Sequence, residues 1–358
     1  MKKIFFCAFA LSLLKLSAQD SSKQVLPTIS GSVEVYYSYD IGEPENHERP
    51  SFFYNHNKHN EVNLNLGFVK ATYATEKVRA NFSLMAGTYS QYNLAGEQGL
   101  LRNVFEANAG VRISKKHNLW IDAGIMPSHI GFESAIAKDC WNLTRSMLAE
   151  NSPYYEAGVK LGYSSKSEKL YLALMYLNGW QRIQKLPGNQ TPAFGTQLTF
   201  KPNKKITFNW SPYGGNEKPD SAKQLRFFNN FYGQFQISEK FGLLAGFDVG
   251  MQQQQKDTNA YYNWYSPVLI IQYKIVDKFR VAVRGEYYSD KNGVIVFTGT
   301  PNGFQTMGCS INFDFLPAEN TMFRIEGRAL SSRDKIFVYD KKPATENYFI
   351  TTSLSVSF

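Results

Sequence analysis

Polar and apolar residues alternate along the chain from residue 28 to residue 358, in runs of about ten residues that are separated by turns. In residues 78–84, the apolar side chains occupy one parity and the polar ones, among them Arg79, occupy the other. A period of two is typical of a β-strand that has one apolar face and one polar face. The pattern therefore predicts an all-β protein.

Two kinds of connection separate these runs. Short turns lie near residues 75–77, 115–118, 165–168, 202–204, 238–240, 276–278 and 317–320. Longer polar segments lie near residues 40–60, 90–102, 128–152, 179–191, 212–224, 252–260, 289–303 and 332–346. Eight long and seven short connections in strict alternation join 16 strands, or two more or fewer if some boundaries differ. This arrangement predicts a closed antiparallel transmembrane β-barrel with short periplasmic turns and long external loops.

The first 18 residues have a different character. Lys2 and Lys3 precede an apolar run over residues 4–14, and small residues end at Ala18, which is typical of a secretory signal peptide. We therefore divide the chain into a signal peptide at 1–18, a short N-terminal segment at 19–27 and an outer-membrane barrel at 28–358. The apolar run over residues 4–14 is too short to span a bilayer as a helix, and the rest of the chain contains no stretch of about 18 apolar residues. A helical membrane protein is therefore not expected.

A barrel of 16 strands is wide enough to hold water, so we expect a wet interior lined by the charged residues of the polar parity. These pore-lining residues are predicted to be Arg79, Glu106, Arg112, Asp122, Glu156, Lys160, Asp248, Arg280, Arg284, Glu286, Asp314, Arg324, Glu326 and Arg328. The arginines at 280, 284, 324 and 328 lie on two strands that flank the strand of Asp314. They either set a field that filters ions, or pair with the nearby acids and stiffen the wall.

The longest loop, residues 128–152, is also the most apolar, and water solvates such a loop poorly. We expect it to fold into the barrel mouth and narrow it; the alternative is an external lid on the neighbouring loops. Residues 135–149 have spacing compatible with one or two helical turns. The predicted constriction residues are Phe132, Lys138, Asp139, Trp141, Arg145 and Glu150.

Charge and cysteine content restrict the remaining possibilities. The formal net charge is +9, and removal of the three lysines within residues 1–18 leaves +6. This mild excess suits contact with anionic lipid, and nucleic-acid binding is not expected because the basic residues form no clustered patch. Cys140 falls in a loop and Cys309 in mid-strand on the apolar parity, so we do not expect them to form a disulfide.

Few residues suggest catalysis or metal binding. His56 and His59 have a metal-like spacing, but the polar segment around them offers no third ligand, so we interpret it as an ordinary solvated stretch. His129 with Glu133 or Asp139 could form a catalytic pair, yet no serine or orienting group accompanies it. No metal, no cofactor and no catalytic residue are predicted.

Three short segments then resemble a known family. Residues 142–146 (NLTRS), 149–159 (AENSPYYEAGV) and 177–181 (LNGWQ) are similar to the OmpL-like β-barrel porins of Bacteroidota. The resemblance implies an outer-membrane barrel. It implies no particular substrate and no catalytic residue.

The chain ends in an alternating strand, LSVSF, whose terminal aromatic residue, Phe358, resembles the signal read by the barrel-assembly machinery. The sequence thus predicts an outer-membrane porin through which small hydrophilic solutes or ions diffuse passively, with outer-membrane lipid as its surroundings and a homo-oligomer as one possible assembly. Two alternatives remain at this stage. One is an outer-membrane barrel enzyme such as a lipase or protease, and the other is a secreted all-β binding module.

Overall fold

The computed structural model describes residues 25–358, so the predicted signal peptide and most of the segment at 19–27 lie outside the described residues. The strands are β1 (Thr28–Asp40), β2 (Val62–Ala74), β3 (Val78–Ala86), β4 (Val104–Arg112), β5 (Asn118–Pro127), β6 (Tyr155–Ser164), β7 (Leu170–Leu177), β8 (Ala193–Asn203), β9 (Ile206–Asn216), β10 (Leu225–Gln236), β11 (Phe241–Gln253), β12 (Tyr261–Val276), β13 (Phe279–Asp290), β14 (Phe304–Ala318), β15 (Thr321–Ser332), β16 (Phe337–Tyr339), β17 (Lys342–Ala344) and β18 (Glu346–Ser357). The helices are α1 (Thr88–Asn93) and α2 (Met147–Glu150), with 3-10 turns at Gly99–Asn103, Ala137–Asp139 and Asp220–Ala222.

Sixteen of these strands, β1–β15 and β18, form one closed antiparallel barrel, and β16 and β17 form a separate small hairpin. The barrel closes where β1 pairs with β18, so that Val35 lies opposite Leu354. Closure leaves the barrel strands without an unpaired edge, which a sheet in lipid requires because no water is there to satisfy its backbone. The predicted fold class and strand count are confirmed.

The connections alternate in length as the sequence predicted. Seven have two to five residues, whereas the other eight have seven to 27 residues. The two that matter most here are the L1 loop, residues 41–61 between β1 and β2, and the L3 loop, residues 128–154 between β5 and β6. No helix within residues 25–358 is long and apolar enough to cross a membrane.

The two faces of the barrel differ as the alternation requires. Large apolar side chains such as Phe82, Phe231 and Leu269 are exposed on the outside, where lipid would cover them. The alternate positions point inward and carry most of the polar residues. Cys309 is exposed on the outer face and Cys140 is buried, and both are free thiols.

Both named loops pack inside the mouth of the barrel. Phe52 and Phe53 of L1 are buried in one apolar cluster with Met147 of L3 and with the wall residues Phe304 and Phe349. The mouth therefore contains a hydrophobic core of its own. The predicted helical turns in residues 135–149 are present, as the 3-10 turn at Ala137–Asp139 and as α2.

Candidate pore and its constriction

Strand register on β13, β14 and β15 brings the predicted charges of this wall together. Arg284, Ser310 and Arg328 occupy one row across the three strands, and Arg280, Asp314 and Arg324 occupy another. All of these side chains have the inward parity. The register alone therefore places four arginines and Asp314 on one patch of the inner wall.

The arginines of this patch bind the backbone of L3. Arg324 donates through Nη1 to the carbonyl of Ala137 at 2.6 Å and through Nη2 to that of Trp141 at 2.9 Å. Arg284 donates to the Thr144 carbonyl at 2.6 Å, and Arg328 donates to that of Arg145 at 2.9 Å. A guanidinium has five donors, so one arginine can bind both a carboxylate and a loop carbonyl.

Acidic side chains complete the same network. The Glu326 carboxylate accepts from Arg284 at 2.9 Å and from the Thr144 hydroxyl at 2.9 Å. Glu286 accepts from Arg328 and from the backbone N–H of Met147, both at 2.6 Å. Three of the four arginines are thus ion-paired, as the second interpretation of this wall predicted. Arg280 is half-buried and has no ion pair within residues 25–358.

A group of inward apolar residues on which L3 packs, here called the seat of L3, lies beside this polar patch. Leu148 packs against Leu244, Val268, Ile270 and Ala282, which point inward from β11, β12 and β13. Inward apolar residues break the expected alternation, and L3 covers them. We call the inner faces of β11–β15, which L3 covers, the covered wall.

Two glycines of β11 make room for aromatic residues of L3. A Cβ built on Gly246 would lie 2.5 Å from the Phe132 ring, and one on Gly242 would lie 2.7 Å from the Trp141 ring. Contacts below about 3 Å force atoms to move, so only glycine allows these rings to lie flat on the strand.

L3 is also tied to itself. Arg145, which is fully buried, donates to the carbonyls of Ser134, Leu143 and Ala135 at 2.6, 2.6 and 2.9 Å. The Ser146 side chain caps α2, and Glu133 accepts from the Ser146 hydroxyl and from its N–H at 3.0 Å. Burial raises the pKa of Glu133. L3 is a folded segment whose polar groups are largely satisfied.

His129 has a different partner from the two that the sequence suggested. Its Nδ1 lies 2.6 Å from Glu156, and its Nε2 lies 3.1 Å from the carbonyl of Pro212. Burial alone would lower the pKa of His129, but the Glu156 carboxylate outweighs burial and raises it. His129 therefore pairs with neither Glu133 nor Asp139. Because both ring nitrogens are engaged, His129 fixes the start of L3 to β6 and β9.

The prediction of a solvated stretch at His56 and His59 is also wrong. Both rings are buried: His56 contacts Glu34 of β1 at 3.1 Å, and His59 accepts from the N–H of Asp40 at 2.9 Å. Within residues 25–358, no group of three potential metal ligands is found. The prediction of a solvated stretch failed because L1 folds into the mouth, which the polar composition of the segment did not reveal.

Glu150 at the end of α2 joins L3 to L1. Its carboxylate accepts from the N–H of Tyr54 at 2.9 Å and from the side chain of Asn55 at 3.2 Å. Burial raises the pKa of Glu150 to about 7, while these donors act in the opposite direction. The two loops are thus held together as well as to the wall.

The opposite side of the interior is less covered. On β2–β8, Arg79 binds Asp122 through two bonds of 2.6 Å and Lys70 binds Glu106, and the inward side chains around them are mostly half-buried. Arg112 and Lys160 are also half-buried, and neither has an acidic partner within residues 25–358. We call the inner faces of β2–β8 the open wall.

The predicted pore-lining residues thus fall into two groups. Those that are half-buried on the inner face are Arg79, Arg112, Lys160 and Arg280. Those that are buried beneath L3 or in side-chain pairs are Glu106, Asp122, Glu156, Asp248, Arg284, Glu286, Asp314, Arg324, Glu326 and Arg328. Among the predicted constriction residues, Arg145 and Glu150 are buried, Phe132 and Trp141 are half-buried, and Lys138 and Asp139 are exposed.

Several residues that matter here were missed by the sequence analysis. The seat for L3 is signalled by the run 268–271 (VLII), in which both parities are apolar, and by the inward glycines at 242 and 246. The apolar run and the two glycines both depart from the polar residues expected at inward positions. Thr144 binds the wall and Ser146 binds Glu133, but nothing in their sequence context distinguishes them from ordinary loop residues.

A closed 16-stranded barrel with an apolar outside and a polar, partly filled inside defines the porin class of outer-membrane proteins. The family described as "Putative beta-barrel porin-2, OmpL-like" matches residues 27–358, and the chain belongs to this family. The expected resemblance to OmpL-like β-barrel porins is thereby confirmed, together with the outer-membrane location that it carries. No curated protein sequence matches the chain significantly.

Solved structures share the fold at very low sequence identity. An anion-selective porin from Comamonas acidovorans superposes with a TM-score of 0.62 at 9% identity, covering 94% of this chain and 100% of that one. The outer membrane channel DcaP of Acinetobacter baumannii gives 0.61 at 12% identity, with 93% and 97% covered. The trimer form of OmpT from Vibrio cholerae gives 0.59 at 10%, with 93% and 100% covered. At such identities the likeness concerns the fold alone.

The seat of L3 on β11 yields a first prediction. Replacing Gly246→Val should displace Phe132 and lower the free energy of unfolding by about 1–3 kcal/mol, a typical cost of overpacking. Gly285→Val is the matched control, since a Cβ on Gly285 of β13 meets open space on the outer face. Urea unfolding of both variants in detergent measures the effect. Equal stability of the two would show that L3 does not rest on Gly246.

Proposed function

We propose that this protein is a passive porin that admits small hydrophilic solutes or ions through the space between L3 and the open wall. The observation that carries the proposal is the asymmetry of the interior. Inward side chains of β11–β15 are mostly buried, whereas about half of those of β2–β8 are only half-buried, and these include the polar residues Lys70, Arg79, Asn81, Asn108, Arg112 and Lys160. Water in such a channel would follow the open wall.

In this proposal L3 is the constriction. Its attachment to the wall by Arg284, Arg324 and Arg328 would fix the width of the channel, since these bonds hold the loop on one side. Permeating ions would then meet Arg79, Arg112 and Lys160 of the open wall rather than the ion-paired residues beneath the loop. Charged side chains at a narrow point of a pore select among ions by their field.

The proposal includes no enzymatic activity. The one histidine that suggested catalysis, His129, has both ring nitrogens bound to Glu156 and to a backbone carbonyl, so neither is free to act as a base. The family match supports a porin and not a hydrolase.

Membrane assembly belongs to the same proposal. Phe358 exchanges two backbone hydrogen bonds with Gly31, of 2.9 and 3.0 Å, so the end of the chain helps to close the barrel. This position supports recognition of the last strand by the barrel-assembly machinery of a Bacteroidota-type outer membrane. The exposed aromatic and aliphatic surface suits both lipid and neighbouring barrels of a homo-oligomer, and OmpT of Vibrio cholerae was solved in a trimer form.

The channel itself is tested electrically. Purified protein added to planar bilayers in KCl should give stepwise increases in current, because each inserted barrel opens one aqueous path. A porin of known conductance, inserted under the same conditions, is the control. A silent bilayer in the presence of working control porin would contradict the proposal.

The role of L3 is tested by shortening it. Deletion of residues 132–148 should raise the single-channel conductance, since the segment that fills one side of the barrel is removed. Deletion of the exposed residues 255–257 between β11 and β12 is the control and should leave the conductance unchanged. Heat-modifiable gel mobility confirms that each variant folds. If both deletions give the wild-type conductance, L3 is not the constriction.

A further inference from the structure

A cavity of about 390 Å³ opens at the mouth of the barrel, above the part of L3 that binds L1. It is lined by L1 at Tyr54, by L3 at Glu150–Ser152 and by Arg226 at the start of β10. Residues 92, 93, 95 and 96, residues 180–182, and residues 294 and 295 of three further long loops also line it. Because these loops come from different sides of the barrel, the mouth cavity lies over its interior. A solute entering from outside would pass it first.

Arg226 is the most unusual residue of the mouth cavity. Its side chain is 8% exposed, and its Nε and Nη2 both donate to Gln252, at 2.9 and 2.6 Å. Its Nη1 makes no hydrogen bond within residues 25–358, and no acid there lies within ion-pair distance. The three buried arginines of the covered wall all have acidic partners, whereas Arg226 has only neutral ones. Glu217 and Asp290 act on Arg226 only from beyond ion-pair distance, so its buried charge is incompletely compensated, and a bound anion would relieve that cost.

A second cation and an unused donor accompany it. Arg182 lines the mouth cavity, is half-buried and likewise has no acidic partner within the described part of the chain. The Nδ2 of Asn93 is buried without a hydrogen-bond partner, while its Oδ1 accepts from Gln181 at 3.1 Å. The free groups of the mouth cavity are therefore hydrogen-bond donors.

The nearby acids are already engaged. Glu150 lines the mouth cavity, but its carboxylate accepts from Tyr54 and Asn55, and burial raises its pKa to about 7. Glu217 is not part of the cavity lining; it accepts from the backbone N–H of Trp180 at 3.2 Å and from the Tyr213 hydroxyl. Neither carboxylate binds Arg182 or Arg226.

Aromatic rings form the rest of the lining. Trp180 is half-buried and packs edge-on against Tyr213 and Phe228, at centroid distances of 5.1 and 4.8 Å. Arg226 lies over the Trp180 ring at 5.2 Å. Tyr54, Tyr92 and Tyr155 complete the aromatic surface. Rigid rings beside a guanidinium provide a flat apolar surface next to a fork of donors that matches a carboxylate.

We propose that the mouth cavity binds small organic carboxylates that carry an apolar ring, with Arg226 and Arg182 on the carboxylate and Trp180 against the ring. The inference rests on the proposed porin function and adds to it an entry site and a solute class. A bound solute there lies at the entrance to the channel, so its occupancy interrupts the current of other ions.

The test measures block of single-channel KCl current by benzoate added to the side of the long loops. Benzoate should reduce the current in a concentration-dependent manner. Benzamide, a neutral molecule of the same shape, and acetate, a carboxylate without a ring, should be at least about tenfold weaker, since each lacks one of the two interactions. Block by either one equal to that by benzoate overturns the proposal.

Two variants and a matched control locate the site. Arg226→Gln and Arg182→Gln should each raise the half-blocking benzoate concentration by about tenfold or more, as expected for loss of a charge-assisted contact. Lys218→Gln removes the same charge from an exposed position outside the cavity lining and should change nothing. Unaltered block in Arg182→Gln, whose side chain is only half-buried, overturns the proposal even if Arg226→Gln does not fold. Absence of any KCl current contradicts the porin function instead, so the two failures are distinguishable.

Discussion

The hydrogen bonds from Arg284, Arg324 and Arg328 to the carbonyls of L3 are the interaction on which the rest of this structure depends. A loop of 27 residues inside a barrel carries many backbone polar groups, and each must find a partner or remain hydrated. The guanidinium groups donate to carbonyls on one side of L3, and Glu286 and Glu326 accept from two of its N–H groups, those of Met147 and Thr144. The loop therefore rests against one wall and leaves the other wall less covered.

The buried charges of the covered wall are consequently structural. Each of its three buried arginines has an acidic partner as well as a loop carbonyl, so removal of one partner would leave a buried charge uncompensated. In the proposed channel, the charges that solutes would reach are those of the open wall, Arg280 and the mouth cavity. An inner-face position thus does not establish that a residue lines the pore.

Sequence alone could predict the barrel because alternation and turn length are local signals. Each strand displays its two faces within about ten residues, and the difference between short and long connections gives both the strand number and the orientation. The inward folding of L3 was also predictable, since Leu143, Met147 and Leu148 could not be exposed to water at low cost.

What sequence could not predict was which partners meet across the interior. The pairing of His129 with Glu156, the burial of His56 by L1 and the unpaired state of Arg226 all depend on how loops from distant segments fill the mouth. These contacts join residues far apart in the chain, and no periodicity reports them. The apolar run at 268–271 was a local signal of the L3 seat, but only the position of L3 shows what covers it.

The most direct measurement compares two inward asparagines by cysteine accessibility. Asn81→Cys on β3 and Asn312→Cys on β14, each in a background with Cys140 and Cys309 replaced by serine, are exposed to a water-soluble methanethiosulfonate during single-channel recording. Asn81 is half-buried on the open wall, whereas Asn312 is fully buried under L3. The account predicts a drop in current for Asn81→Cys and none for Asn312→Cys. A drop in current for Asn312→Cys, together with an unchanged current for Asn81→Cys, would contradict the account.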